Sequence, residues 1–380
     1  MRYKLSDICE YAKGKIKVSV LDENTYISTE NMLPNKCGIT KATSLPTQEQ
    51  TQAFMKNDVL VSNIRPYFKK IWYATCDGGC SNDVLVFRAK DGVSCRFLYY
   101  VLADDTFFDY SMAISKGTKM PRGDKKAIME YEVPDLSYED QCKIASILEA
   151  VDEKICLNTA INKNLAQQAQ AIYVNMFAEN ETVIPATIAD VSLNVTDGVH
   201  NTVHDDTEGE FLLLSCKNIK GGSLNIGSSE RRISLDTFER LRRRTKLSKG
   251  DVLISSVGTV GELLLLNVEP SNYEFQRSVA MVKPNPDIVS PAYLYESLIF
   301  KRSELINAAH GAVQQCLFIS DIAGFPIGIL HPDELHTFDA TVAPMFDIIS
   351  ANEAENQRLA EMRDTLLPKL MNGKLDVSNV

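Results

Sequence analysis

The sequence predicts an α+β protein built twice over: two mixed α/β globules, each followed by a long helix, with the two helices paired within one chain. Three observations carry this. Asn158, Asn162 and Leu165 recur as Asn352, Asn356 and Leu359, an offset of 194, and Gly117 recurs as Gly311. The run KNDVLVS (Lys56 to Ser62) recurs as KGDVLIS (Lys249 to Ser255), an offset of 193. Two stretches of alternating four- and three-residue apolar spacing, the signature of a coiled-coil seam, each follow a series of short apolar runs bounded by turn residues. A near-constant offset over 380 residues is a duplication, and the length is ample for two cores. The expected division is a globule at 1–136, a helix at 137–180, a second globule at 181–332 and a second helix at 333–380.

In the first globule the apolar runs Val59–Asn63, Ile71–Ala74 and Val84–Arg88 read as strands, and Arg96–Ala103 reads as a short helix. The first rod follows, its seam formed by Ile144, Leu148, Val151, Ile155, Asn158, Asn162, Leu165, Ala169, Ile172 and Met176. Ser137 with Asp140 resembles a capping box at its start. The second globule offers strands at Phe211–Ser215, Val252–Ser256, Leu263–Leu266 and Val279–Val282, and a helix at Ala292–Ile299. The second rod keeps the register with Phe338, Val342, Met345, Ile349, Asn352, Asn356, Leu359, Arg363, Leu366 and Leu370. Pro332 suits its first turn, Pro368 loosens its last, and Gly373 is a stop. Each rod has one narrow apolar stripe, so the two are expected to pack on each other. Asn158, Asn162, Asn352 and Asn356 then form polar layers that fix register, or lie on a wet stretch of the seam. Periodicity leaves parallel and antiparallel pairing open.

Composition is that of a folded soluble protein, with 44% apolar and 24% charged residues. No apolar run is long enough for a membrane span, and the first residues lack the apolar core of a signal peptide, so the expected location is the cytoplasm. Nine cysteines without framework spacing read as free thiols. Cys76 and Cys80 form the one close pair, and no second pair or His cluster completes a zinc site, so no metal is expected.

The net charge of −10 speaks mildly against nucleic acid, but binding depends on where the cations sit. They concentrate between Arg231 and Lys249, where Arg231, Arg232, Arg240, Arg242, Arg243, Arg244, Lys246 and Lys249 face only Asp236 and Glu239. Several arginines together favour phosphate and guanine edges over a generic anion. Smaller groups in the first globule are Arg65, Lys69 and Lys70 beside Tyr67 and Phe68, and Lys116, Lys119, Arg122, Lys125 and Lys126 around Gly117. At the loop equivalent to the latter, Gln314 and Gln315 offer amides that match adenine. The polar loop VTDGVHNTVHDD, Val195 to Asp206, is rich in hydrogen-bonding side chains. Its Asp197, His200, His204 and Asp205 could hold a metal, but a turn at Asp197-Gly198 is the simpler account. No GxxxxGK[ST] loop, no Asn/Asp-Pro-Pro-aromatic tetrapeptide and no catalytic carboxylate pair or nucleophile stands out. The stretch Gly258 to Gly261 reads as a tight turn. The chain is not expected to be an enzyme by itself.

The stretches VTDGVHNT, LLLSCKNIKGG, KGDVLISSVGTVG, FQRSVAMVKPN, the HGAVQQ loop and the closing run LLPKLMNGKLDV resemble the specificity subunits of type I restriction–modification systems. KNDVLVS, the SKGTKMP loop and YEVPDLSYEDQCKIASILEAVDEKICLN do so in the first half. The resemblance implies two target-recognition domains, each reading half of a gapped double-stranded DNA sequence, held by two helices packed antiparallel. Thr196, His200, Asn201 and Lys217 join the cations and glutamines above as candidate DNA contacts on this basis. It also implies two methyltransferase subunits and motor–nuclease subunits as partners, with S-adenosylmethionine, ATP and Mg²⁺ belonging to them and no cofactor in this chain. Two departures stand out. The first globule has no clear counterpart of TDGVHNT, and Arg363 stands where the first rod has Ala169. Competing readings are a coiled-coil adaptor that never touches DNA, an enzyme with an unrecognised site, and a specificity subunit of a methylation-only system.

Overall fold

The computed structural model describes residues 2–117, 119–178, 180–227, 230–311 and 315–371. Gln314 and Gly373, both singled out in the sequence, lie outside them. Two compact units result, Met1–Ile155 with Arg358–Val380, and Cys156–Gln357. The division falls inside both long helices, Tyr138–Phe177 and Pro332–Met371, not at their ends. Each unit's apolar core is the reason, because each draws side chains from one globule and from both helices.

In the first unit a four-stranded antiparallel sheet has the spatial order Cys9–Tyr11, Val84–Ala89, Val59–Ser62, Ile71–Tyr73. Alternation along the strands divides their side chains between two cores. Val59, Val61, Leu85 and Phe87 pack with Phe97, Leu98 and Val101 of the helix Cys95–Ala103, and with Ile144, Leu148, Leu367 and Leu370 of the long helices. Leu60, Val84 and Val86 face the opposite way, toward Ile27, Phe54 and Cys80 of a second four-stranded sheet. A fully buried side chain of this size contributes roughly 1.5–3 kcal/mol, so strands of three to six residues suffice when both faces are covered.

The second unit repeats the first sheet. Its order is Ser192–Asp197, Val279–Pro284, Val252–Ser255, Leu263–Leu265, again antiparallel. Val252, Ile254, Ala280 and Val282 meet the helix Pro291–Phe300 and Ala169, Tyr173, Phe338 and Val342 of the rods. Leu253, Val279 and Met281 turn to the other core, with Leu214 and Phe275 of a three-stranded sheet whose parallel pair Phe211–Leu214 with Tyr273–Phe275 matches Tyr26–Ile27 with Gly78–Cys80 of the first unit. The repeated KNDVL and KGDVL runs are structural. Asn57 and Gly250 occupy positive φ (74° and 92°), and the following Asp is buried and paired. Asp58 accepts from Arg88 Nε at 2.8 Å and Nη2 at 2.6 Å, and Asp251 accepts from Lys283 Nζ at 2.7 Å.

The rods are antiparallel in each unit. In the second, Asn158 Nδ2 donates to Asn356 Oδ1 at 2.9 Å and to Glu355 Oε2 at 2.7 Å. Four residues on, Asn352 Nδ2 donates to Asn162 Oδ1 at 2.7 Å, and Asn180 Nδ2 reaches Glu334 Oε1 at 2.9 Å. In the first unit, Arg363 Nη1 donates to Asp152 Oδ1 at 2.9 Å, and Tyr100 Oη to the other carboxylate oxygen at 2.9 Å. Arg363 thus has its own carboxylate, while its counterpart Ala169 is fully buried among apolar groups. Ser137 Oγ accepts from Asp140 N at 3.1 Å, capping the first helix, and Pro332 opens the second. Pro344 and Pro368 lie inside the second helix, each removing one backbone donor.

Candidate nucleic-acid interface

In both units polar loops gather at one edge of the repeated sheet, after the central strand and before the strand that pairs with it. Ile64 bridges Arg122, and Val257 bridges Cys316. Lys116 and Arg122 exchange backbone hydrogen bonds of 2.9 and 3.0 Å, and His310 and Cys316 exchange two of 2.8 Å. Gly117 and Gly311, at φ 96° and 105°, turn these loops. The backbone frame is therefore the same in both units, while the residues it presents differ: Lys116 and Arg122 in one, His310 and Cys316 in the other.

In the first unit the candidate cations differ in how far they are committed. Lys69 Nζ and Lys36 Nζ both lie 2.8 Å from the Asp105 carboxylate. Burial pushes that carboxyl up, but the two ammonium groups together hold it below the usual range. Lys70 Nζ donates to Thr29 O at 2.6 Å, and its pKa is lowered by burial. Arg122 pairs with Asp83 at 3.0 Å and Lys116 with Asp124 at 2.8 Å, both from exposed positions. Lys119 is exposed, and Arg65 is half-buried; neither has an ion-pair partner among the described residues.

The second unit builds a concave polar surface of about 310 Å³, lined by His200, Asn201, Thr202, Arg231, Gln276 and Arg277 among others. The TDGVHNT run forms it for a steric reason. A Cβ on Gly198 would sit 2.1 Å from Phe275 O, so only glycine lets this loop lie against the 275–277 backbone. Val199 N then donates to Phe275 O and Arg277 N to Val199 O, each at 3.1 Å. Thr196 is half-buried in the strand leading in, His200 Nε2 lies 2.5 Å from Asp197 Oδ2, and Asn201 is exposed. Asp205 is engaged by Arg231, and among the described residues no group of three or more His, Cys, Asp or Glu could hold a metal ion.

The arginine cluster divides in two. Arg231 donates to Asp205 and to Val203 O, both at 2.6 Å, and Arg232 to Gly209 O at 3.0 Å. Arg242, in the helix Leu235–Thr245, pairs with the fully buried Glu274 and donates to Pro270 O and Tyr273 O at 2.7 and 3.0 Å. Burial pushes the Glu274 carboxyl up, while Arg242 and Thr245 pull it back. Arg244 holds the carbonyls of Asp197 and Gly198 and so braces the polar loop. Arg240, Arg243, Lys246 and Lys249 are exposed and form the outward-facing remainder. Lys217 is exposed and 2.9 Å from Glu230, and Gln315 is exposed beside Cys316. Gln276 and Arg277 were not picked out as single residues in the sequence. The signal that finds them is their place immediately before the repeated strand, where the first unit has Ser81 and Asn82.

Amide forks, guanidinium groups and an imidazole on one concave face can exchange hydrogen bonds with base edges. The exposed Arg240, Arg243, Lys246 and Lys249 suit phosphates.

Comparison with known proteins points the same way. Residues 1–167 match the family model for the type I restriction modification DNA specificity domain. The MjaIX type I restriction enzyme specificity subunit of Methanocaldococcus jannaschii is 27% identical over 317 residues, covering 77% of this chain and 71% of that protein. The HindI specificity subunit of Haemophilus influenzae is 24% identical, covering 98% and 99%. The crystal structure of a type I restriction–modification S subunit from M. genitalium superposes with a TM-score of 0.58 over 98% of this chain and 96% of that one, at 14% identity, a likeness of fold.

Proposed function

We propose, from the chain's membership of the family of type I restriction–modification specificity subunits, that it selects the DNA sequence on which such a complex acts. Each unit reads one half of a bipartite target, and the bases between the halves go unread. The observation that carries this is the repeated sheet edge. One backbone frame displays Arg65, Lys116, Lys119 and Arg122 in the first unit and Gly258, His310 and Cys316 in the second, and the second adds the concave polar surface of His200, Asn201, Gln276 and Arg277. A duplicated protein that binds one repeated ligand has no need of two unlike faces; one that binds two unlike half-sites does.

Chemistry belongs to the partners in this proposal. Two methyltransferase subunits engage the chain, motor–nuclease subunits join them, and S-adenosylmethionine, ATP and Mg²⁺ reside there. The chain contributes binding: exposed lysines and arginines engage phosphates, and the concave polar loops distinguish bases. Binding by the assembled chain and methyltransferase subunits to duplexes carrying both half-sites is the test. Affinity is expected to fall steeply with salt, and to fall again when the spacer is lengthened by one base pair. Equal binding to the native and lengthened spacers would contradict the two-half reading.

A further inference from the structure

The turn after the central strand is where the two units part company. Aligned through the bridges Ile64–Arg122 and Val257–Cys316, Arg65 of the first unit stands where the second has Gly258. Both positions have positive φ, 50° for Arg65 and 85° for Gly258. Glycine takes that conformation without strain, whereas a long side chain does not. The first unit therefore carries an arginine at a backbone site that disfavours it, with a second strained residue, Lys69 at φ 49°, closing the same turn.

The backbone of Arg65 is held, its N donating to Pro121 O at 2.8 Å and its O accepting from Phe68 N at 3.0 Å, but its guanidinium is not. Among the described residues its buried Nε has no hydrogen-bond partner and no carboxylate pairs with its guanidinium. Asn63 Oδ1, two residues earlier, is likewise buried without a partner among the described residues. Lys69 and Lys70 on the same turn are both engaged, by Asp105 and by Thr29 O. Between them and Arg65, Tyr67 and Phe68 are exposed, their ring centroids 4.6 Å apart. The second unit's turn does the opposite. Gly258 and Thr259 are exposed but Val260 is buried and a Cβ on Gly261 would strike Ile306 Cγ1 at 2.4 Å, so that turn presents neither a cation nor an aromatic ring. Strain that persists in one copy, with an orphaned donor and exposed aromatic faces, is the mark of a residue waiting for a ligand.

We propose that Arg65 is a base-reading residue of the first unit, whose guanidinium fork takes the paired acceptors O6 and N7 of one guanine in that unit's half-site, with Tyr67 and Phe68 providing apolar surface on the same turn. The assignment rests on the DNA-reading function above. A guanine fits better than a backbone phosphate because a phosphate contact tolerates a solvated cation, which the exposed Lys119 already supplies. A half-buried guanidinium with a fixed backbone is suited to a target of fixed geometry.

The test compares the wild-type chain with Arg65→Gly and Arg65→Lys, each assembled with the methyltransferase subunits, by selection from a library of randomised duplexes and by thermal melting. Arg65→Gly is expected to melt no lower than wild type, because it takes the residue the twin unit uses. In both variants one guanine of one half-site should become degenerate, with discrimination at that position falling about 10- to 100-fold, and the other half-site should be unchanged. An unaltered motif would overturn the assignment. So would a uniform loss on all duplexes with a shallower salt dependence, which is the behaviour of a phosphate contact. A lower melting temperature for Arg65→Gly would make the residue a structural one and overturn it too. Should wild type itself select no preferred sequence, the DNA-reading function fails and the assignment falls with it.

Discussion

Replacing Arg242 with alanine tests whether the basic run of the second unit is a binding surface throughout or partly a structural brace. Glu274 is fully buried, and Arg242 is its only charged partner among the described residues. Thr245 Oγ1, at 3.2 and 3.1 Å from the two carboxylate oxygens, cannot replace a guanidinium. Breaking a buried pair from one side typically costs about 3–5 kcal/mol, because the remaining charge stays in a low-dielectric site. Arg242 also donates to Pro270 O and Tyr273 O, so two carbonyls lose a donor in the same step. Against a typical domain stability of about 5–15 kcal/mol, the loss brings the second unit near unfolding.

Arg243, whose side chain is 74% exposed, provides the contrast; its removal should change stability by no more than about 0.5 kcal/mol. The double variant Arg242→Met, Glu274→Met removes both charges and should recover most of the loss. The penalty should also depend on pH. Without Arg242 the carboxyl, already pushed up by burial, rises further. A folded-state pKa above the unfolded one costs stability as pH rises beyond about 4.3, so Arg242→Ala should be least harmful near pH 5 and most harmful near pH 8. The single tryptophan, Trp72, lies in the first unit. Its fluorescence therefore reports that unit, and amide hydrogen exchange across residues 235–282 reports the second. A loss under 1 kcal/mol in the exchange-derived stability, with weakened DNA binding alone, would refute the brace.

Three further predictions concern other parts of the frame. Glu296 is buried in the second unit, its carboxyl pushed up to about 8 by desolvation, so folding costs about 3 kcal/mol at pH 7 relative to a solvated carboxyl. Glu296→Gln should recover that amount and flatten the fall in stability between pH 5 and 9, measured by denaturation at several pH values; an unchanged pH profile would place the titration elsewhere. Asn158→Leu adds apolar surface yet removes the donor to Asn356 and Glu355, and should destabilise the second unit by roughly 1–3 kcal/mol in chemical denaturation. Gly198→Ala drives a Cβ into Phe275 O, and should cost about 1–3 kcal/mol while altering only the second unit's half of the selected DNA motif.

Much of this architecture was legible in the sequence because it rests on local pattern. The strands at Val59, Val84, Val252 and Val279 and the helices at Cys95 and Pro291 emerge within a residue or two of where apolar runs and turn residues place them. The rods emerge from their spacing. The second four-stranded sheet of the first unit was not legible, since Lys15–Lys17 and Tyr26–Ile27 are too short to carry a period and are defined by partners far along the chain. Tyr173 was missed for a different reason: it is fully buried between the helix and the second globule, off the seam that the four-three spacing follows. Charge density in the sequence located the arginine run, but not which arginines face outward. Arg242 turns inward and Arg244, though exposed, is tied down, because Glu274 and the Asp197–Gly198 carbonyls come from strands and loops distant in sequence. Arg65 is the reverse case, an unremarkable loop cation in the sequence, given meaning only by the φ it shares with Gly258.

The central claim is that this chain decides which DNA sequence is modified, in two halves. Genome-wide adenine-methylation sequencing of the host, with the gene intact and deleted, tests it most directly. The account predicts one gapped motif, two specified halves around an unspecified spacer, methylated in the first strain and absent from the second. A methylation pattern unchanged by the deletion, or a lost motif with no internal gap, would contradict it.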